Sequence, residues 1–263
     1  MWKGSISFGL VNIPIKMYTA TENKDIKFRY LHKKCNTPVK YNKICPNCNE
    51  ELKEDDIVKG YEYEPGHFVI LNEEDFKAVE TEVEKAIDIL DFVNLSEIDP
   101  IYFDKSYYLS PQETGGKAYN LLREVMNRTN KIAIAKITIR SKQSLAALRV
   151  YKNVLILETI FYPDEVRELT TVPGIPQNKN LDQKEMNIAT QLVENLTSEF
   201  QPEKYKDDYR IALRNIIEQK VQGKDIHVTK GEEHKNVIDL MEALQKSLKE
   251  TKKVDKKQKT TAS

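Results

Sequence analysis

The amino-acid sequence predicts an α+β protein: a β-barrel core with helical additions, followed by a helical arm and a disordered tail. Up to about residue 162, apolar and polar residues alternate in many short runs, which is typical of half-buried strands. Beyond a stretch at 171–180 that carries two prolines and a glycine, apolar residues recur at helical spacing. From residue 249 onward the chain is rich in lysine and nearly free of apolar residues, which predicts disorder.

The first nineteen residues predict two strands joined at Leu10-Val11. Serine or glycine separates the apolar residues of the first strand, and Pro14, Lys16 and Tyr18 alternate with those of the second. Such alternation directs one face of each strand into a core. The apolar positions are Ile6, Phe8, Leu10, Ile13, Ile15 and Met17.

Further strands are predicted along the rest of the core. They span residues 26–31, 57–63, 67–71, 86–93, 102–109, 132–139, 145–150 and 154–161. Two helices interrupt them, one at 73–79 with Asn72 as its N-cap and one at 117–128. We expect the longer helix to bury one apolar face, formed by Ala118, Leu121, Leu122 and Val125.

The predicted organisation is a core over residues 1–170, a linker at 171–181, a helical arm at 182–248 and a tail at 249–263. Three helices are expected in the arm, because three groups of apolar residues have helical periodicity. The groups are Ala189, Leu192, Val193, Leu196 and Phe200; Tyr209, Leu213, Ile216 and Ile217; and Val237, Met241, Leu244 and Leu248.

The chain has 41 basic and 41 acidic residues, so its formal net charge at pH 7 is zero. The charges are nevertheless segregated. Residues 24–43 hold seven basic residues and one acid, residues 131–152 hold six basic residues and no acid, and residues 49–104 hold eighteen acids and four lysines. If these blocks fold onto different faces, the surface can bind phosphate at zero net charge. The alternative is that the basic blocks are merely solvated faces.

All three cysteines fall in one motif with a histidine, His32-x2-Cys35-x9-Cys45-x2-Cys48. A Cys-x2-Cys turn places two thiolates on one side, and His32 with Cys35 can supply the opposite pair. Four nitrogen and sulfur ligands close a tetrahedral Zn²⁺ site, so we expect a structural zinc ion there. The alternative is an inert or redox-active Cys-x2-Cys beside an unrelated histidine.

Sequence motifs of catalysis are missing: there is no Gly-rich phosphate loop, no Gly-x-Ser-x-Gly and no His-Glu-x-x-His. We therefore predict a protein that is not an enzyme. The absence of a signal peptide, of a long apolar run and of a disulfide framework favours a cytoplasmic location.

Several tyrosines at strand spacing are expected to be core and interface residues more often than base-stacking ones. They are Tyr61, Tyr63, Tyr102, Tyr107 and Tyr108.

The opening Met1-Trp-Lys-Gly-Ser, followed by the alternating strand, resembles the opening of the bacterial Ku family. Further matches follow in order along the chain, so the resemblance covers roughly residues 1–225. They are Asp56-Ile-Val-Lys-Gly-Tyr-Glu-Tyr-Glu64, Ile89-Leu-Asp-Phe-Val93, Asp99-Pro-Ile-Tyr-Phe-Asp-Lys-Ser-Tyr-Tyr-Leu109, Leu145-Ala-Ala-Leu-Arg149 and Tyr162-Pro-Asp-Glu-Val-Arg167.

The resemblance implies a Ku-type β-barrel with a bridge loop, about residues 27–60, that arches over DNA. Proteins of this family encircle broken ends of duplex DNA as homodimers in non-homologous end joining. The expected partners are therefore double-stranded DNA ends, a second copy of the chain and the ATP-dependent DNA ligase of end joining (ligase D type). The helices around 182–221 are the expected ligase-recruiting segment, and nucleoid association is expected.

The candidate DNA-binding residues are basic, and nearly all belong to the two basic blocks. We expect phosphate contacts from them without sequence readout. They are Lys16, Arg29, Lys33, Lys34, Lys40, Lys43, Arg140, Lys142 and Arg149.

Two other functions remain open on the residues alone. The same basic blocks and zinc motif suit a zinc-knuckle module that binds RNA or associates with transcription. A DNA-processing lyase with a Schiff-base lysine is the third reading, although no lysine has the apolar surroundings that would lower its pKa.

Overall fold

A computed structural model of the protein describes residues 2–79, 85–139, 142–175 and 182–223. The chain divides into two units, Met1–Thr171 and Val172–Ser263. In the described part of the first unit the strands are β1 (Trp2–Phe8), β2 (Val11–Thr19), β3 (Lys59–Glu64), β4 (His67–Leu71), β5 (Ala86–Val93), β6 (Phe103–Pro111), β7 (Ile132–Ile139), β8 (Lys142–Tyr151) and β9 (Val154–Ile160). The helices are α1 (Glu73–Val79) and α2 (Gly116–Thr129).

Seven strands form a closed barrel in the order β1-β2-β6-β9-β8-β7-β5. Neighbouring strands are antiparallel except β1 and β5, which pair in parallel with Ser5 opposite Ala86. Closure pairs every strand on both sides, so the barrel has no exposed sheet edge. The predicted α+β architecture with a barrel core is confirmed.

The barrel interior holds the main core, to which the alternating positions of the first hairpin contribute. Ile6, Ile13, Ile15 and Met17 are buried, whereas Phe8 and Leu10 are exposed near the turn of this hairpin. The other members are aliphatic side chains of the remaining strands, with alanines where space is small: Ile87, Leu109, Ala133, Ala135, Ile137, Ala146, Leu148, Leu155 and Leu157.

Helix α2 packs against β2 and β8 and buries Tyr119, Leu122 and Met126 in this core. The predicted buried face was therefore partly wrong: Leu121 is 65% exposed and Val125 is 48% exposed. The physical reason is that Tyr119, whose hydroxyl forms a hydrogen bond inside the core, belongs to the buried face of the helix.

The hydroxyl of Tyr119 joins two strands. It donates to the carbonyl oxygen of Leu109 at 2.7 Å and accepts from the backbone N–H of Leu155 at 2.7 Å. Burial raises the pKa of Tyr119.

Residues 20–58 lead from the barrel to a separate two-stranded sheet, β3-β4. The strand predicted at 26–31 is wrong, because Leu31 makes only an isolated bridge to Pro38. Alternation there does not reflect a half-buried strand, since the side chains of 27–31 are all exposed.

The described part of the second unit contains α3 (Gln183–Leu196) and α4 (Asp208–Val221). Aspartates cap both helices: Asp182 accepts from the N–H of Lys184 at 2.6 Å, and Asp207 accepts from the N–H of Arg210 at 2.9 Å. The predicted third helix, the tail at 249–263 and most of the predicted linker lie outside the described residues. No helix in the described residues is long and apolar enough to cross a membrane.

Candidate nucleic-acid interface

The bridge segment, residues 27–60, is open to solvent over its whole length. Every residue in it is exposed except the half-buried Cys45 and Leu52. A segment that buries so little of itself is held by local turns, and two of these turns carry the predicted zinc ligands.

The two turns have the same backbone geometry, displaced by thirteen residues. In the first, the N–H of Asn36 donates to the carbonyl of His32 at 2.8 Å; in the second, the N–H of Asn49 donates to the carbonyl of Cys45 at 2.9 Å. Both asparagines adopt positive φ, 55° and 56°, a conformation that asparagine tolerates. Isolated bridges close the two turns in the same way, Leu31 with Pro38 and Ile44 with Glu51.

Each turn holds one pair of potential ligands. The Nδ1 atom of His32 lies 3.0 Å from the Sγ atom of Cys35. A hydrogen bond from the Thr37 side chain lowers the pKa of Cys35, the backbone N–H of Cys48 lowers that of Cys45, and a hydrogen bond with Cys45 raises that of Cys48.

The donors therefore fit zinc as two half-sites. Nitrogen and sulfur atoms at a two-residue interval are the ligands of a zinc knuckle. Within the described residues no group of three or more His, Cys, Asp or Glu side chains is gathered tightly enough to hold a metal. The joint site of His32, Cys35, Cys45 and Cys48 stays a prediction.

The predicted basic residues of the bridge segment are all exposed. Lys33 and Lys34 occupy the two inner positions of the first turn, where the second turn has Pro46 and Asn47. Lys43 differs from the others, because its Nζ lies 2.8 Å from the Oε1 atom of Glu54. The remaining members are Arg29 and Lys40.

Three predicted residues lie on the barrel, and two of them have carboxylate partners. Lys142 contacts Glu165 at 3.2 Å. The pKa of Glu165 is lowered mainly by a hydrogen bond from the backbone N–H of Tyr162 and further by the hydrogen bond from Lys142. Arg149 pairs with Glu158 through two hydrogen bonds, and these raise the pKa of Arg149. Lys16 is half-buried on β2, opposite Lys3 of β1. Arg140 lies outside the described residues.

The structure also shows surface residues that were not among the predicted DNA-binding residues. Lys152 occupies the β8–β9 turn with φ of 53°, and its Nζ lies 5.4 Å from the ring centre of Tyr151. Tyr108 is exposed on β6, whereas Tyr102 and Tyr107 pack against the buried clusters. The signal in the sequence was the alternation of β6, which directs Tyr107 and Tyr108 to opposite faces.

A scan against protein families matches residues 7–190 to the Ku70/Ku80 beta-barrel domain. This range covers most of the chain and includes the whole barrel apart from the start of β1. The chain belongs to the Ku family.

Similar proteins support the same assignment. The chain is 54% identical over 256 residues to a protein of Bacillus subtilis (strain 168), which covers 96% of the chain and 82% of that protein. It is 49% identical over 263 residues to one of Desulfitobacterium hafniense, covering 100% of the chain and 90% of the relative. It is 44% identical over 259 residues to one of Heliobacterium modesticaldum, covering 98% and 94%. Each relative is named "Non-homologous end joining protein Ku".

These findings confirm the resemblance to bacterial Ku. Ku proteins are not catalytic, so the prediction that the chain is not an enzyme is confirmed by its family.

Proposed function

We propose that this Ku protein binds the ends of double-stranded DNA as a ring-shaped homodimer in non-homologous end joining, without sequence readout. The observation that carries the proposal is its identity, across nearly the whole chain, with relatives named for that process. The proposed mechanism is topological. A closed ring threads onto a DNA end and cannot load on DNA that has no end, so recognition of an end requires no chemical reaction at that end.

Affinity comes from phosphate neutralisation. The bridge segment presents Arg29, Lys33, Lys34 and Lys40 to solvent, and among the described residues none of these four forms a salt bridge. Each neutralised phosphate releases counterions, so log K falls against log salt with a slope of roughly 0.9 per phosphate. Contacts of this kind position the protein on DNA and carry no sequence information.

A second copy of the chain is the proposed cover for the apolar side chains of the bridge segment and of β3-β4. A two-stranded sheet is marginally stable alone, and a large exposed apolar patch marks an interaction site. In a homodimer each copy offers the same patch to the other. The exposed apolar residues are Phe28, Tyr30, Leu31, Val39, Tyr41, Ile44, Ile57, Val58, Tyr61, Tyr63, Phe68, Val69 and Ile70.

Zinc is the proposed stabiliser of the bridge segment. His32, Cys35, Cys45 and Cys48 would hold it, and the two matching turns support this choice of ligands. The ion would supply no catalysis; by cross-linking the two turns it would stiffen the segment that carries the lysines.

The helical arm is proposed to recruit the ATP-dependent DNA ligase of end joining (ligase D type). No described residue of this unit is buried, and Val193 and Leu196 of α3 are exposed. Phe200 and Tyr205 stack on each other with ring centres 5.7 Å apart and remain exposed. Such apolar and aromatic side chains are typical anchors of protein interfaces.

The proposed location is the cytoplasm, at the nucleoid.

Blocking the DNA ends tests the threading mechanism. The full-length protein is mixed with a biotinylated linear duplex before or after streptavidin closes both ends. Protein added first should become trapped on the DNA and resist a competitor duplex, and protein added after the blocks should not bind. Equal binding in the two orders contradicts a ring.

The ligase proposal is tested with Phe200→Ala and Tyr205→Ala together, which should reduce stimulation of ligation while end binding is unchanged.

A further inference from the structure

We infer that the outer wall of the barrel carries a second nucleic-acid site, which takes the unpaired nucleotides of a single-stranded DNA overhang. The inference rests on the proposed function, since it supposes that a DNA end is held nearby. It is carried by three tyrosines and two cations that the strand register places on one outward face, and by a third cation in the β8–β9 turn beside them.

The tyrosines form an exposed aromatic surface on three strands, β2, β6 and β8, of which β6 and β8 lie on either side of β9. Tyr18 of β2 is the direct cross-strand partner of Tyr108 of β6, so their side chains lie on the same face. The ring centres of Tyr108 and Tyr151 lie 6.5 Å apart, with their planes inclined by 32°. Tyr18, Tyr108 and Tyr151 are 44%, 38% and 39% exposed, so their rings are only partly covered by the protein.

Cations flank this aromatic surface. The Cζ atom of Arg149 lies 5.7 Å from the ring centre of Tyr151, and the Nζ atom of Lys152 lies 5.4 Å from the same centre. Lys16 lies two residues before Tyr18 on β2 and therefore shares its face.

The charge of this face is incompletely balanced by the protein. Glu158 engages the Nε and Nη2 atoms of Arg149, which leaves the Nη1 donors of that guanidinium for another acceptor. Neither Lys16 nor Lys152 forms a salt bridge within the part of the chain that the structure describes. A phosphate-bearing chain is the complementary partner.

Single-stranded DNA fits this combination better than a duplex does. In a duplex the bases stack on one another, and their faces are closed to side chains. Unpaired bases expose those faces, and proteins that bind them combine aromatic platforms with a basic track along the backbone. Since every base has an aromatic face, such a site tolerates any overhang sequence.

The test compares full-length protein on two fluorescent duplexes of equal length, one blunt and one with a 3′ tail of about ten thymidines. The unmodified protein should bind the tailed duplex roughly tenfold more tightly, and Tyr108→Ala with Tyr151→Ala should abolish this preference while changing blunt affinity less than about twofold. Tyr108→Phe with Tyr151→Phe should keep the preference, because phenylalanine retains the stacking face. Tyr209→Ala, at an exposed tyrosine of α4, is the matched control and should have no effect.

A second variant guards against loss of folding in the double alanine protein. Lys152→Glu alters only an exposed turn and should reduce the preference for the tail and its salt dependence. Equal affinity of the unmodified protein for tailed and blunt duplexes overturns the inference, as does an equal loss on both DNAs in either variant. Failure to bind the blunt duplex, by contrast, contradicts the proposed end binding itself.

Discussion

Arg149 and Glu158 form a two-pronged ion pair between adjacent strands of the barrel. The Nε atom of Arg149 lies 2.8 Å from Oε2 of Glu158, and Nη2 lies 2.6 Å from Oε1. Their side chains are 24% and 12% exposed, and Ser106 Oγ donates to the same carboxylate at 3.3 Å. An arginine expected to contact DNA is therefore also part of the barrel wall.

Arg149→Ala should lower the free energy of unfolding by about 2 kcal/mol, because it leaves a largely buried carboxylate without its cation. The control is Lys142→Ala, which removes a pair whose lysine is 72% exposed and should cost less than about 0.5 kcal/mol. Urea denaturation of both variants checks the difference. Equal losses would show that the Arg149 pair is no stronger than a surface contact.

Tyr119→Phe should destabilise the barrel by about 2 kcal/mol, since it removes the donor to Leu109 and the acceptor for Leu155 while leaving the ring in place. Tyr209→Phe, at a tyrosine of α4 that is 77% exposed, should leave the unfolding midpoint unchanged. Thermal and chemical unfolding measure both. An unchanged midpoint for Tyr119→Phe would mean that water replaces the hydroxyl without loss.

Gly4→Ala should impair closure of the barrel. A Cβ atom at Gly4 would overlap the carbonyl oxygen of Lys85 and the ring of Trp2, and that carbonyl accepts the N–H of Ser5 at 2.9 Å where β1 meets β5. We expect a loss of at least about 2 kcal/mol or insoluble protein.

Gly116→Ala is the matched control, because nothing lies within 4 Å of a Cβ atom there and the position begins α2. It should be neutral or slightly stabilising. Similar stability of the two variants, measured by urea denaturation, would contradict a tight approach of β1 to residue 85.

Freshly purified protein should contain one zinc ion per chain, and Cys45→Ser should lose it. The variant should keep the thermal unfolding of the barrel, since residues 27–60 hold no member of its core, but should bind DNA more weakly. Elemental analysis and a thiol assay check the metal. Absence of zinc together with three reactive thiols in the unmodified protein would contradict the site.

The sequence predicted the barrel strands well where alternation reflects burial on one side, as in Ile13, Ile15 and Met17. It could not predict that β1 and β5 close the barrel, because pairing between strands distant in sequence leaves no periodic signal. The prediction of a strand at 26–31 was wrong because apolar and polar residues alternate there although the segment has no partner strand.

The candidate site was predictable in part. The ligand spacing predicted His32, Cys35, Cys45 and Cys48 as zinc ligands, which stays a prediction. The repeated turn geometry could not be predicted, because it depends on backbone conformation at Asn36 and Asn49. The first charge block located the exposed cations Arg29, Lys33, Lys34 and Lys40. The charge blocks could not distinguish Lys40 from Lys43, which has Glu54 as a partner, or place Lys152 beside Tyr151.

Competition between linear and covalently closed circular DNA tests the central claim most directly. The full-length protein is bound to a labelled linear duplex, and unlabelled competitors of identical sequence are added in linear or nick-free circular form. Linear DNA should displace the label in proportion to the concentration of ends, and circular DNA should compete only weakly and less as salt rises. Equal competition by the circle, per base pair, would contradict a ring that loads at DNA ends.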